Sequence, residues 1–189
     1  MWRAAALGLG LVLAAGAAQA DALPGAGCHV DDVVLGCPRA GPCPKPQTET
    51  EAVPVVVGPA GKSVCLTPEV LKDLDRAEAV MISHGASHTY EGVRLTEILR
   101  LVGAPTGARL HADADRDYLV VTGKDGFRAV YSLAETDGSV QRRPVILADH
   151  MDGAPLLPHD APFRLVVDGD QKPARSVFGV TRIEVKVLP

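Results

Sequence analysis

The chain has 189 residues, 47% of them hydrophobic, and carries 19 Lys and Arg against 23 Asp and Glu, a net charge of −4 at pH 7. No basic run stands out, which excludes nucleic acid and anionic lipid as partners recognised by charge. Beyond an apolar N-terminus, the length suits a single domain.

Met1 to Ala20 place Arg3 before an apolar run from Ala4 to Ala18, then the small-x-small triplet Ala18, Gln19, Ala20 ahead of Asp21. That is the layout of a secretory signal peptide cleaved after Ala20, and the run is shorter than the ~20 residues a spanning helix needs. A periplasmic or secreted destination is therefore expected. No Arg-Arg pair precedes the run to suggest the twin-arginine route. Residues 21–52 form a leader rich in Cys and Pro. Cys28, Cys37, Cys43 and Cys65 are an even set in an exported chain, which reads as disulfides because the envelope is oxidising. Three pairings are open. Cys28 with Cys37 and Cys43 with Cys65 is preferred, since the second bond would tie the leader to the domain. A metal site from Cys28, His29, Cys37 and Cys43 matches no zinc-module spacing.

The domain is expected from Val53 to Pro189. Val53 to Val57, interrupted by Pro54, predicts at most an edge strand. After a turn at Gly58 to Gly61, Thr67 caps a short helix from Pro68 to Leu74, with Pro at the first helical position. Ala79 to Ile82 predict a short apolar strand that opens at Ser83 into a loop carrying His84 and His88. From the residues alone the pair reads as exposed loop histidines. Leu95, Ile98, Leu99 and Val102 recur at i, i+3, i+4 and i+7, an amphipathic helix stopped by Gly103 and Pro105. Tyr118–Thr122 and Phe127–Ser132 form a hairpin, and Ser132 with Glu135 a capping box. Pro144 to Leu147 return as a strand leading to Asp149 and His150. Asp152 and Gly153 then turn the chain, and Pro155, Pro158 and Pro162 keep the next segment out of helix. Phe163, Leu165 and Val167 alternate with Arg164, Val166 and Asp168, a strand with one face on a core. Thr181, Ile183, Val185 and Val187 alternate with Arg182, Glu184 and Lys186, a closing strand with its charged face to water. The fold class is α+β, one strand-rich domain with a few short helices.

ADHMDGAPLLPHDAPFRLVVDGD from Ala148 to Asp170, followed by PARSVFGVTRIEVKVL from Pro173 to Leu188, resembles the molybdopterin-binding domain of the sulfite oxidase family. YEGVRLTEILRLVGAP from Tyr90 and DYLVVTGKDGFRAVYSLAE from Asp117 agree with it. The resemblance implies that family's fold. In catalytic members, the strand matching Ala79–Ile82 ends in a cysteine whose thiolate binds molybdenum. Here the position falls at Ser83 or His84, and neither replaces a soft anionic donor. The resemblance also places Asp149 and His150 near the cofactor cleft. It matches Arg175 to an arginine at the cofactor's anionic end, a task that suits a bidentate guanidinium. The expected function is an exported, non-catalytic module with a degenerate cleft formed by His84, His88, Asp149, His150 and Arg175. That cleft would hold a small heterocyclic, pterin-type ligand without molybdenum, and the module would report to a membrane-bound signalling protein. A molybdenum-cofactor-dependent oxidoreductase and a ligand-free interaction domain are the alternatives. No Gly-x-Ser-x-Gly elbow or phosphate loop supports hydrolysis or nucleotide binding.

Overall fold

Strand alternation sets the first sheet: Val56, Val121, Ala129 and Ile183 are buried on one side, while their neighbours face outward. The computed structural model describes residues 53–188. It pairs five strands in the order β2 (Ser63–Cys65), β1 (Val55–Val57), β10 (Val180–Lys186), β5 (Tyr118–Gly123) and β6 (Arg128–Ser132). β1 runs parallel to β10, and the other pairs are antiparallel. β1 is thus an interior strand, not the edge its proline suggested. Pro54 stands just before it and contributes only its carbonyl, to the Leu66 N–H at 2.8 Å, so the missing donor breaks no ladder bond.

The second sheet orders β3 (Arg76–Ser83), β4 (Ala86–Arg94), β7 (Val145–Met151) and β8 (Ala154–Pro155), with β9 (Arg164–Val167) also paired to β7. Between the sheets lies the larger core, built from Val56, Leu119, Val121 and Ile183 on one side and Val93, Leu147, Leu165 and Val167 on the other. Helix α2 (Leu95–Leu101) adds Leu95, Ile98 and Leu99, as its period predicts. Burying each is worth about 1.5–3 kcal/mol, against a few tenths per residue from helix propensity, so packing holds this seven-residue helix. Helix α1 (Pro68–Leu71) is capped as expected, the Val70 N–H donating to Thr67 Oγ1 at 3.4 Å, but it ends three residues before Leu74.

The far face of the second sheet carries a smaller core: Ala79, Met81, Tyr90, Ile146, Ala148 and Val166, covered by Leu156 and Ala161. All four residues of β9 are consequently buried. The expectation was a strand with one face on a core; both faces are covered, because a segment outside the strand closes the second one.

The stretch from Ser83 to His88 also differs from expectation. It is not a loop: β3 and β4 form one long hairpin joined by a two-residue turn in which His84 (φ 51°) and Gly85 (φ 82°) are both left-handed. A second such turn, Asp152 (φ 52°) and Gly153 (φ 76°), joins β7 to β8. The β4–β7 register shifts between Glu91 and Gly92, leaving Asp149 as the extra residue of a bulge.

Cys65 closes β2 and is disulfide-bonded. The expected signal peptide, the leader, and Cys28, Cys37 and Cys43 lie outside the described residues. Among the described residues no helix is long and apolar enough to cross a membrane.

Candidate functional site

The bulge in β7 turns Asp149 toward the start of β3, where Arg76 grips it with both Nη atoms at 2.9 and 2.5 Å. His150 Nδ1 lies 2.8 Å from the same carboxylate. Burial alone would raise the Asp149 pKa, but the hydrogen bonds from Arg76 and His150 outweigh it and hold the carboxyl below its ordinary range. A depressed folded pKa gives stability that is present above the unfolded value of about 3.9 and is lost as pH falls through the lower folded value. Arg76→Ala should therefore move the Asp149 midpoint upward in an NMR carboxyl titration. An unmoved midpoint would discard Arg76 as the cause.

His88 sits within β4, not on a loop, and its Nδ1 is 2.7 Å from Asp152 Oδ2. Asp152 Oδ1 accepts from the Thr89 N–H at 2.9 Å, and the Asp152 N–H donates to the Thr89 carbonyl at 2.7 Å, so the turn is latched to β4. His88 first, then Thr89, holds the Asp152 carboxyl below its ordinary range. His84 occupies the other turn, its Nδ1 3.1 Å from Ser83 Oγ.

Arg175 ends a short turn of 3₁₀ helix, Pro173–Arg175. Its guanidinium bonds Asp170 at 2.9 and 3.1 Å and Glu135 at 2.9 Å, and it lies 5.4 Å from the centre of the Tyr131 ring. The Tyr131 hydroxyl donates to the Arg175 carbonyl. The Asp170 hydrogen bonds raise its pKa, with burial opposing and Glu135 adding to the rise. Two carboxylates thus engage the fork that the resemblance assigned to an external anion. The five expected residues fall into separate groups, Asp149 with His150, His88 with Asp152, His84 at its turn, and Arg175 with Asp170 and Glu135.

A different arginine is the one that is buried. Arg164 is 4% exposed, donates through Nε to Ser176 Oγ at 2.8 Å and through Nη1 to Asp160 Oδ2 at 2.9 Å. The Ser176 hydroxyl in turn donates a hydrogen bond to the Leu165 carbonyl at 2.7 Å. The guanidinium stacks 4.4 Å from the Phe178 ring centre and 5.2 Å from that of Tyr90. Tyr90 is fully buried, and its hydroxyl has no hydrogen-bond partner. Burial raises the Tyr90 pKa, so the phenol remains a neutral donor. A buried cation beside an unused hydroxyl is chemically suited to an anionic or carbonyl-bearing group. The sequence reading did not single out Arg164, which alternation put on the strand face opposite the expected core; Asp160 four residues before it was the available signal.

No group of three or more His, Cys, Asp or Glu stands in metal-binding array among the described residues. In comparison with known proteins, no curated protein matches the chain. Among solved structures, the fold is similar to that of the sulfane dehydrogenase SoxCD from Paracoccus pantotrophus, at 18% identity and a TM-score of 0.56. The similarity covers 76% of this chain and 41% of that one, so this chain spans less than half of its length. Residues 63–187, from β2 through β10, match the oxidoreductase molybdopterin binding domain. That span takes in both sheets and both cores, and the chain belongs to the oxidoreductase molybdopterin binding domain family.

Proposed function

We propose that this protein is an envelope binding module of its family that holds a pterin-type ligand without a metal–sulfur bond. The observation that carries the reading is Tyr90 beside Arg164. An orphaned buried hydroxyl costs on the order of 1–3 kcal/mol, and a guanidinium has five N–H donors, of which Ser176 and Asp160 take two. A ligand acceptor at this place would satisfy both groups. Access requires displacement of the segment around Leu156 to Ala161. That segment is held by Lys124 Nζ on the Pro158 carbonyl at 2.9 Å and by the Gly179 N–H on the Asp160 carbonyl at 2.9 Å.

A molybdenum–thiolate bond does not fit the donors present among the described residues. β3 ends at Ser83, whose hydroxyl faces the His84 ring, and the two-residue turn offers nitrogen and oxygen only. Cys65, the one cysteine among the described residues, lies on the other sheet with its sulfur in a disulfide. A soft, anionic donor is what the metal would demand. This supports a carrier or sensor over a redox centre.

Tyr90→Phe separates ligand binding from folding. It keeps the ring and removes the orphan, so the ligand-free protein should gain about 1 kcal/mol in urea unfolding. Affinity for pterin-6-carboxylate, followed by the pterin's own fluorescence, should fall roughly tenfold, the worth of one hydrogen bond. Unchanged affinity, or a loss of stability, would show that the hydroxyl serves the fold and not a ligand.

A further inference from the structure

We propose that the N-terminal end of β7 carries a second site, which binds a small tetrahedral oxyanion of the phosphate or sulfate class. It is separate from the Tyr90–Arg164 site and does not rest on the pterin reading. Arg94 at the end of β4, with Arg142 and Arg143 just before β7, lines a cavity of about 30 Å³ whose remaining wall includes Thr96, Thr136 and Gln141. Elsewhere the fold gives Arg76, Arg100, Arg164, Arg175 and Arg182 a carboxylate each. Among the described residues no carboxylate is paired with Arg94, Arg142 or Arg143, nor with Arg109 or Arg128 on other parts of the surface, and only the first three line one cavity together.

Glu78 and Glu91 share a separate open hollow with Arg94 and Arg76 and do not line this cavity, and the two acids on its own side are engaged elsewhere. Glu135 accepts from the Ser132 N–H and from Arg175, and Asp137 from the Gly107 N–H and from the Ser139 N–H and hydroxyl. The wall is fixed by the Thr96 hydroxyl, which donates to the Thr136 carbonyl at 2.8 Å, and by the Gln141 amide, which donates to the Glu135 carbonyl. The Arg143 guanidinium lies beside Gly169, 2.7 Å from where a Cβ would stand, and the φ of 76° at that position is what calls for glycine. Guanidinium forks bind oxyanions bidentately and keep their charge at every relevant pH. The cavity exceeds the ~10–15 Å³ that one water requires. It is too small for a ring system, which selects an ion of a few atoms.

The test is isothermal titration of the full chain with sodium phosphate and with sodium sulfate, against sodium chloride at matched ionic strength. One saturable site for the tetrahedral anions is expected. Arg94→Gln combined with Arg143→Gln should weaken it at least tenfold, while Arg143→Lys retains part of the affinity because the charge remains. The three arginines are exposed, so circular dichroism should show the variants folded; should the double variant misfold, Arg142→Gln alone must still weaken binding. Equal affinity in the glutamine variants, heat that chloride reproduces, or no saturable heat would each overturn the site.

Discussion

Replacing Arg164 by alanine should lower the unfolding free energy by about 3–5 kcal/mol, the range expected when one partner of a buried ion pair is removed. Asp160, with 13% of its side chain exposed, would keep only the exposed His159 ring, 3.4 Å away, and the Ser176 hydroxyl would lose the N–H it accepts from. The stack between Tyr90 and Phe178 would also become a void. By contrast Arg182→Ala, whose partner Glu184 sits on the outer face of the first sheet with 46% of the arginine side chain exposed, should cost no more than about 1 kcal/mol. Arg164→Met combined with Asp160→Asn should cost less than Arg164→Ala, because no lone charge is stranded. Urea unfolding reads all three, and a loss below 1 kcal/mol in Arg164→Ala would contradict the burial argument.

Gly92→Ala should be at least as damaging, with a loss above about 3 kcal/mol, the upper end for overpacking. A Cβ there would stand 2.1 Å from the Leu147 carbonyl oxygen and 2.4 Å from Ala148 Cα. Both are backbone atoms, so no rotamer change relieves the overlap and β4 must separate from β7. The same bulge presents Asp149 to Arg76, so the Asp149 carboxyl should return toward about 3.9 in whatever fraction stays folded. Gly138→Ala, where nothing lies within 4 Å, should change stability by no more than about 0.5 kcal/mol. Comparable losses in the two variants would show that the close approach at Gly92 is not what matters.

How far these features could be read from the chain depended on whether their causes are local. Leu95, Ile98 and Leu99 declare α2 by spacing, and the β5–β6 hairpin and β10 declare themselves by alternation, since each pattern is completed within a few residues. The family resemblance was legible for the same reason, in ordered segments that the match to residues 63–187 bears out. The β3–β4 hairpin was not legible, because its turn puts histidine where Asn or Gly is the usual left-handed residue. Arg164 was hidden by a cover that arrives from outside its strand, through Leu156 and Ala161. Arg175 was legible as an anion-binding side chain, but its anions are Asp170 and Glu135, five and forty residues away. Alternation states which faces a strand has; only the assembled fold states which of them are covered.

The proposed function is that this member of the family binds a heterocycle, with no free cysteine sulfur among the described residues to hold a metal to it. The direct measurement is to purify the full chain from a host that makes molybdopterin, then determine molybdenum by elemental analysis and released heterocycle by mass spectrometry. The account predicts a pterin-type molecule in near-stoichiometric amount with molybdenum far below it. Stoichiometric molybdenum, or a chain that repeatedly carries no heterocycle, would contradict it.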